Sequence, residues 1–408
     1  TYGWTITDGG LATPGEGCLY VFTDSNIQTG VDLWVSDPSA AATTYGDIST
    51  WDVSQVTNMS NLFLDKTTFN GDITTWDVSN VTNMQAMFNR ATSFNQDLSS
   101  WDVSGVINMS RMFNGAKAFN QNINSWDVSS VTDMRIMFSD ATSFNQNIGS
   151  WNVTNVTNMH SMFYNANSFN QDIGSWDVRS VTNMEWMFGS ASSFNKSINS
   201  WVLSSLMNIQ GMFYNANTFN QDIGSWDVSK VTNMHAVLAR ATSFNQDISS
   251  WNVGNVANMK KMFNRASAFN QDIGSWDVGN VTDMEYIFNN SGVSTSNYDV
   301  ILTGWSQQTV QSNVALGAAG LKYCSGEAAR QSLIDTYGWT ITDGGLATPG
   351  EGCLYVFTDS NIQTGVDLWV SDPSAAATTY GDISTWDVSQ VTNMSNLFLD
   401  KTTFNGDI

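Results

Sequence analysis

The chain has 408 residues, with 37 acidic against 15 basic side chains and a formal net charge of −22. Such a surface repels the phosphates of nucleic acids and anionic membrane surfaces, so neither is an expected partner. Apolar residues make up 41% of the chain, enough for a core. No apolar run approaches the roughly 18 residues that a membrane span needs.

The longest repeat in the sequence has a period of 335 residues, because residues 1–73 recur without a change as residues 336–408. We therefore expect the chain to be a window on a longer polymer of 335-residue units. In chain order this predicts the end of a preceding C-terminal cap (1–12), a linker and N-terminal cap (13–45), a solenoid (46–300), a C-terminal cap (301–347), and the next linker, cap and first coil (348–408).

Helix signals stand before the first coil. Apolar residues spaced over 27–35 predict a short amphipathic helix. Asp37 followed by Pro38 predicts the start of a second helix, with the aspartate as N-cap and the proline at the first helical position.

A shorter repeat of 25 residues fills the middle of the unit. One copy, residues 76–100, reads WDVSNVTNMQAMFNRATSFNQDLSS, and we call each such segment a coil. A period of this length is typical of a solenoid. Each coil begins at one of Trp51, Trp76, Trp101, Trp126, Trp151, Trp176, Trp201, Trp226, Trp251 and Trp276.

The spacing of apolar residues within a coil predicts a strand followed by a short helix. Residues 73–81 have the apolar spacing of the strand segment of a leucine-rich repeat. Residues 84–91 place apolar side chains on one face of a helix. The predicted fold class is therefore an α/β repeat: a right-handed, leucine-rich-repeat-like solenoid of ten 25-residue strand–helix coils, with N- and C-terminal caps.

Stacking of the coils is expected to bury what one coil cannot bury alone. The column of phenylalanines from Phe69 to Phe269 should form a stacked spine. The adjacent column of asparagines, from Asn70 to Asn270, should form an amide ladder that satisfies backbone groups at the corner.

The sequence has three cysteines, and Cys353 repeats Cys18 after one period. We predict a disulfide between Cys324 and Cys353, with the partner of Cys18 outside this chain. A disulfide implies an oxidising compartment. The alternative is two unpaired, buried thiols in each unit.

The coil sequence WDVSNVTNMxxMFxxAxxFNQDIGS resembles the repeats of BspA-like, DUF285-type leucine-rich-repeat surface proteins of bacteria, and the match covers residues 46–300. The segment YCSGEAARQSLIDTYGWTITDGG is similar to the sequence that follows these repeats in large Bacteroidetes surface proteins, giant tandem-repeat adhesins among them. The resemblance implies secretion, display on the cell surface, and a role in adhesion or in a matrix. It carries no catalytic residues.

Acidic residues form two columns along the coils. Stacked carboxylates repel one another, and calcium would relieve this, which makes Asp72, Asp77, Asp97 and Asp102 candidate ligands. The alternative is that each carboxylate accepts hydrogen bonds from nearby serine, threonine and backbone donors.

The opposite, more varied side of the coils carries aromatic and basic residues, which are typical of protein interfaces. Contact between identical chains through these residues is one hypothesis, and a solvated surface is the other. The candidate self-association residues are Trp186, Arg111, Arg135, Tyr164 and Tyr214, together with Val202 and Met207 at a break in the repeat pattern.

No metal-binding Cys/His spacing, nucleophile elbow or phosphate loop is present in the sequence, so we do not expect an enzyme or a cofactor, calcium aside. We expect a structural, adhesive fibre protein of the extracellular cell surface, built of tandem units, attaching to cells or surfaces and associating with identical chains into filaments. The alternative function is a surface receptor module that binds a protein or a glycan.

Overall fold

The computed structural model describes residues 20–348, 351 and 353–405, and it has a repeat α/β fold. The predictions for residues 1–12 and for Cys18 lie outside these described residues. The chain divides into two compact units, residues 1–246 and residues 247–408.

The first unit begins with a small cap. Strand β1 (Val21–Thr23) pairs in parallel with strand β2 (Asp52–Gln55), and helices α1 (Ile27–Ser36) and α2 (Pro38–Tyr45) lie between them in sequence. The Asp37 carboxylate accepts the backbone N–H of Ala40 at 3.0 Å, and Pro38 opens α2. The predicted second helix start is confirmed.

The coils of the first unit are hydrogen-bonded to one another, but they contain no helix, so the helix predicted over residues 84–91 is wrong. The backbone N–H groups of alternate residues instead donate to carbonyls of the next coil at 2.6–3.1 Å. Residues Ala86 and Arg90 have φ angles of 54° and 59°, which no α-helix contains. Turns repeated every few residues bury the same apolar positions that one face of a helix would bury. The apolar spacing over residues 84–91 therefore fits both structures, and it led to the wrong prediction of a helix.

Among the described coils, the predicted strand at the start of each coil is found only in the first coil of each copy, as β2 and as the strand Asp387–Gln390. In the next coil the Val81 N–H donates to the Val78 carbonyl at 2.9 Å, which closes a turn. Parallel pairing moves to single bridges further along the coil, beginning with Asn58↔Asn83 and Asn83↔Asn108. The first coil closes the same turn, with the Val56 N–H donating to the Val53 carbonyl at 2.9 Å, so its strand is distinguished by pairing with β1.

Two side-chain columns fill the interior and edge of the first unit as predicted. Phe88 stacks on Phe63 with ring centroids 5.3 Å apart and planes 3° apart, and Phe94 stacks on Phe69 at 5.8 Å. At the edge, the Asn70 amide oxygen accepts the next coil's Asn95 backbone N–H at 2.9 Å, a contact that recurs in later coils. The phenylalanine spine and the amide ladder are both confirmed for these coils.

The second unit contains the break in the 25-residue rhythm. Helices α3 (Thr295–Ser306) and α4 (Glu327–Tyr337) pack against each other, and strands β3 (Ala315–Gly317) and β4 (Thr340–Thr342) pair in parallel. The indole N–H of Trp305 donates to the Ile273 carbonyl at 3.3 Å, as the coil tryptophans do to the coil before them. Trp305, which lies in helix α3, therefore extends the column of coil tryptophans into the cap.

The second unit ends in the second copy of the repeated segment. Strand β5 (Val356–Thr358), helices α5 (Ile362–Ser371) and α6 (Pro373–Tyr380), and strand β6 (Asp387–Gln390) repeat the first cap element by element.

Identical residues of the two copies differ in burial. Val53 and Met59 are fully buried, while their counterparts Val388 and Met394 are 36% and 48% exposed. In the first copy the following coil covers these side chains. The Met59 N–H donates to the carbonyl of Asn83, which lies in that following coil, at 2.9 Å. One coil therefore completes the core of the coil before it.

Candidate interaction surfaces and the join between copies

The carboxylates of the acidic columns are occupied by local hydrogen bonds. Asp77 accepts the Ser79 N–H at 3.0 Å and the Ser79 hydroxyl at 2.6 Å, and Asp102 accepts the same pair from Ser104. The Ser79 bonds hold the pKa of Asp77 below its usual value, although burial and the neighbouring charge of Asp102 act in the opposite direction.

The other two calcium candidates have the same geometry. Asp72 accepts the backbone N–H of Thr74 at 3.0 Å, and Asp97 accepts the backbone N–H of Ser99 at 2.9 Å. The Thr74 hydroxyl, followed by the Thr74 N–H, lowers the pKa of Asp72, and the Ser99 N–H, followed by the Ser99 hydroxyl, lowers the pKa of Asp97. Within the described ranges no three acidic, histidine or cysteine side chains are grouped as a metal site.

Three of the self-association candidates contact one another in the first unit. The Trp186 ring packs edge-on against Tyr164 at 6.4 Å and against Tyr214 at 5.3 Å, each from a neighbouring coil. The Arg240 guanidinium lies 5.9 Å from the Tyr214 ring centroid. The aromatic residues are half-buried by these contacts, so much of their apolar surface is already used within the chain.

Glycine makes room for this aromatic cluster. A Cβ on Gly211, which has a φ of +59°, would lie 2.4 Å from the Trp186 ring. A Cβ on Gly189 would lie 2.8 Å from the Tyr164 ring. Each large ring therefore lies over a glycine of the following coil.

The remaining basic candidates are not brought to this cluster. Arg135 pairs with Asp133 of its own coil, with Nε and Oδ2 3.1 Å apart. Arg111 donates its backbone N–H to the Arg135 carbonyl at 2.9 Å. The two arginines lie in earlier coils than Trp186, and no described contact joins them to it.

Val202 and Met207 are exposed, by 56% and 57%. A third exposed apolar side chain, Ile107 at 51%, was missed by the sequence reasoning. It occupies the same coil position as Met207, where neighbouring coils carry threonine. A comparison of that column along the chain could have found it.

The join between the cap and the second copy lies in the second unit. The structure contains the predicted disulfide between Cys324 and Cys353, whose Cα atoms are 5.5 Å apart. Beside it, Glu351 pairs with Lys322 at 2.5 Å and accepts the N–H and hydroxyl of Thr348 at 3.0 and 2.6 Å. The Lys322 ammonium, followed by the Thr348 donors, lowers the pKa of Glu351 to about 2.

Three further bonds hold the same segment against the cap. The Tyr323 N–H donates to the Gly345 carbonyl at 3.1 Å, and the Ala347 N–H donates to the Tyr323 carbonyl at 2.7 Å. The backbone carbonyl of Glu351 accepts the Thr295 hydroxyl at 3.1 Å. The described part of the join is therefore attached to the cap covalently and by hydrogen bonds.

Buried acids organise the cap to which the join is attached. Asp299 in α3 accepts the backbone N–H groups of Cys324, Ser325 and Gly326 at 2.8–2.9 Å, just before α4 begins. It supplies the capping oxygen that Gly326, the N-cap residue of α4, lacks. The half of the disulfide that belongs to the cap is thereby fixed by a side chain of α3.

A second buried acid, Asp343, binds Arg330 through both carboxylate oxygens, at 2.8 and 3.2 Å, and accepts the Tyr298 hydroxyl at 3.1 Å. Burial, followed by the Asp343 charge, raises the pKa of Tyr298 well above its usual value. This side-on arginine–carboxylate pair connects α4 to the residues after β4.

A family model for repeats described as "Mycoplasma protein of unknown function, DUF285" matches the chain at residues 36–142, 100–201, 121–223, 186–305 and 373–408. Together these matches cover well over half of the 408 residues. The chain belongs to the DUF285 family. Searches among curated proteins and among solved structures found no match.

A cleft in the second unit of the DUF285 chain has a volume of about 970 Å³. Its walls include Asp272 and Gln307, and Val300, Leu354 and Val356 are 45–56% exposed beside them. A cleft with both polar and apolar walls can accept a ligand. Among the described residues of the chain, no helix combines the length and apolar character of a membrane span.

Proposed function

We propose that this DUF285 chain is a segment of a structural, adhesive fibre protein of the extracellular cell surface, built of tandem solenoid units and attaching to cells or other surfaces. Each unit would be a right-handed, leucine-rich-repeat-like solenoid of ten coils with a cap at each end. BspA-like surface proteins are the relatives that this proposal implies.

The observation that carries the proposal is the repetition of sequence and structure together. Residues 1–73 and 336–408 are identical, and the described parts of both copies form the same strand–helix–helix–strand cap. The cap before the second copy is joined to it by the Cys324–Cys353 disulfide and by Glu351. A covalent join between successive units suits a protein that bears tension along its length.

The disulfide supports an oxidising, extracellular location. The acidic surface disfavours nucleic acid as a partner, and the partners that we propose are identical chains or the surface of another cell. We propose neither an enzymatic activity nor a cofactor. At Asp72, Asp77, Asp97 and Asp102 the hydrogen bonds that the carboxylates already accept favour the alternative to calcium binding.

Antibodies against the coils test this proposal on intact and permeabilised cells, combined with electron microscopy of the released protein. We expect labelling of intact cells and thin filaments whose mass is a multiple of the unit. Labelling that requires permeabilisation, or compact single particles, would contradict the proposal.

The cleft favours a second function, a surface receptor module for a protein or a glycan. The open apolar side chains Leu354 and Val356 next to Asp272 and Gln307 are the supporting observation. A screen of glycans and surface proteins against the chain tests this function, with Leu354→Asp as the variant that should abolish binding of a cleft ligand. Binding that is unaffected by this variant would argue against the cleft.

A further inference from the structure

We infer that two copies of this chain pair side by side and antiparallel through one edge of the first unit, with the two-fold axis at Thr157. This inference deepens the proposed function and rests on it for its biological setting, since a fibre brings many copies together. The edge, which we call the turn ridge, consists of the outward residues around the turn that begins each coil. In the coil of residues 76–100 these are Asp77, Ser79, Asn80 and Thr82.

A backbone ladder fixes the spacing along the turn ridge. The Ile107 N–H donates to the Thr82 carbonyl at 2.9 Å. In the same way, the Thr157 N–H donates to the Thr132 carbonyl and the Met207 N–H donates to the Thr182 carbonyl, both at 3.0 Å. These residues therefore stand in one column, one per coil. With coils about 4.8 Å apart, Ile107 and Met207 lie roughly 10 Å on opposite sides of Thr157.

Exposed apolar side chains are confined to this ridge in the coils of the first unit. Within residues 47–246, all of which the structure describes, three large apolar side chains are more than half exposed: Ile107, Val202 and Met207. All three replace polar residues of the repeat, threonine at 107 and 207 and aspartate or asparagine at 202. They lie two coils to either side of the coil that contains Thr157.

The charges of the ridge are divided in the same way. The half that contains Ile107 presents Asp77, Asp102 and Asp127 and no basic side chain. The half that contains Met207 presents Asp177 and Asp227 together with two exposed basic side chains, Arg179 and Lys230. The coil of Thr157, between the halves, presents the uncharged Asn152.

Parallel pairing in register would place each aspartate opposite its own copy, which costs free energy. Antiparallel pairing about Thr157 places Ile107 opposite Met207 of the second copy. It also places Asp127 opposite the coil of Arg179, and Asp77 opposite the coil of Lys230. Asp102 lies opposite the coil of Val202, whose ridge residues carry no charge. Antiparallel pairing therefore keeps the acidic coils of the two copies apart, and it has the symmetry that a two-fold interface requires.

Arg179 already pairs with Asp177 of its own coil at 2.5 Å. Hydrogen bonds from Ser229, followed by the charge of Lys230, lower the pKa of Asp227. The Met207 half is thus close to neutral, whereas the Ile107 half is acidic. Contact between unlike halves avoids the repulsion of two acidic halves, and the apolar side chains supply the contact area.

Cysteine placed on the axis gives the most specific test. In the full 408-residue chain with Cys18→Ser, Thr157→Cys should form a disulfide-linked dimer under mild oxidation, because each copy meets its own symmetry mate there. The matched control is Thr82→Cys, at an equally exposed position of the same column three coils away. It should remain monomeric on a non-reducing gel.

Sedimentation equilibrium of the unmodified chain supplies the second readout. We expect a reversible dimer, and a dissociation constant at least about tenfold larger for the double variant Ile107→Thr with Met207→Thr. Threonine occupies this position in neighbouring coils, so the thermal unfolding midpoint should be unchanged.

A monomeric unmodified chain, or equal cross-linking through positions 82 and 157, would overturn the pairing. Neither result would affect the tandem-unit proposal, which depends on the length of the native polypeptide. A short native polypeptide that still dimerises through Thr157 would contradict the tandem-unit proposal and leave the antiparallel pairing intact.

Discussion

The Asp24 carboxylate accepts the backbone N–H and the hydroxyl of Thr57, at 2.8 and 2.7 Å. In the next coil the corresponding N–H, that of Thr82, donates to the Thr57 carbonyl. Asp24 therefore takes the place of a preceding coil at the open edge, where unpaired N–H groups invite pairing with another chain. Burial disfavours its charge, but the bonds from Thr57 and Asn58 together keep its pKa below the usual value.

Replacing Asp24 tests this edge cap. Asp24→Ala should destabilise the first unit by about 1–2 kcal/mol, because it leaves two backbone donors and one hydroxyl without their acceptor. Urea unfolding followed by tryptophan fluorescence measures the change. Asp24→Asn is the matched control and should cost less, since one amide oxygen can still accept both backbone N–H groups. Equal losses for the two variants would contradict the capping role.

The phenylalanine column should dominate the stability of the coils. Phe88 is fully buried and stacks on Phe63, Phe94 and Phe113 at 5.3, 4.0 and 5.5 Å. We expect Phe88→Ala to cost about 3–5 kcal/mol in the free energy of unfolding. The exposed Thr82→Ala serves as the control, with an effect within about 0.5 kcal/mol. A Phe88→Ala variant as stable as this control would mean that the column does not form in solution.

Gly211 and Trp186 should be energetically coupled. Gly211→Ala is expected to cost about 1–3 kcal/mol, because the new methyl group would overlap the Trp186 ring and the backbone has a positive φ. Trp186→Ala removes the overlap but not the backbone cost, so the double variant should be more stable than additivity predicts. Thermal unfolding of all four chains measures the coupling. Additive losses would show that the ring does not lie over Gly211.

Acid should weaken the coils through the aspartates of the turn ridge. The pKa values of Asp77, Asp102 and Asp127 are lowered in the folded chain, mainly by hydrogen bonds from the serine two residues later. Their ionised forms therefore stabilise the fold above the unfolded pKa of about 3.9, and this stability is lost as the pH falls through the lower folded values.

Urea unfolding at pH 7, 5 and 3 measures this dependence. The double variant Asp77→Asn with Asp102→Asn should lose less stability on acidification, while its turns persist, since Asn152 accepts the same backbone bond from Thr154. A pH dependence identical to that of the unmodified chain would assign the acid sensitivity to other groups.

The join should depend on both its disulfide and its acid. Replacing Cys324 and Cys353 together by serine opens a loop that spans 29 residues. The chain-entropy model then predicts a loss of roughly 3–4 kcal/mol for the second unit. Limited proteolysis between residues 343 and 353 should become rapid. Glu351→Gln should speed cleavage further at neutral pH, because it removes the charge that pairs with Lys322. Unchanged cleavage in both variants would show that neither the disulfide nor the ion pair holds the join.

Column patterns in the sequence predicted much of this fold. The recurrence of Phe94 and Asn95 every 25 residues specifies which side chains meet between coils, because stacking brings equivalent positions together. The disulfide was predictable from the same periodicity, since Cys353 belongs to a copy and Cys324 does not. These predictions required no knowledge of the backbone within a coil.

The backbone of the coil was not predictable in the same way. The apolar positions from Met84 to Ala91 satisfy a helical period, yet the structure places Ala86 and Arg90 in the left-handed region and directs alternate N–H groups to the next coil. The choice depends on hydrogen bonds between coils, which the spacing within one coil does not encode. Glu351 was missed for a related reason: its partner Lys322 is 29 residues away and outside the repeat.

The length of the native polypeptide tests the central claim most directly. Long reads across the gene, with the intact mass of the native protein as a check, would count the 335-residue units. The proposal predicts many near-identical units in tandem, each carrying the paired cysteines of the join. A period that occurs only once, beside unrelated domains, would contradict the fibre and leave the receptor function as the better account.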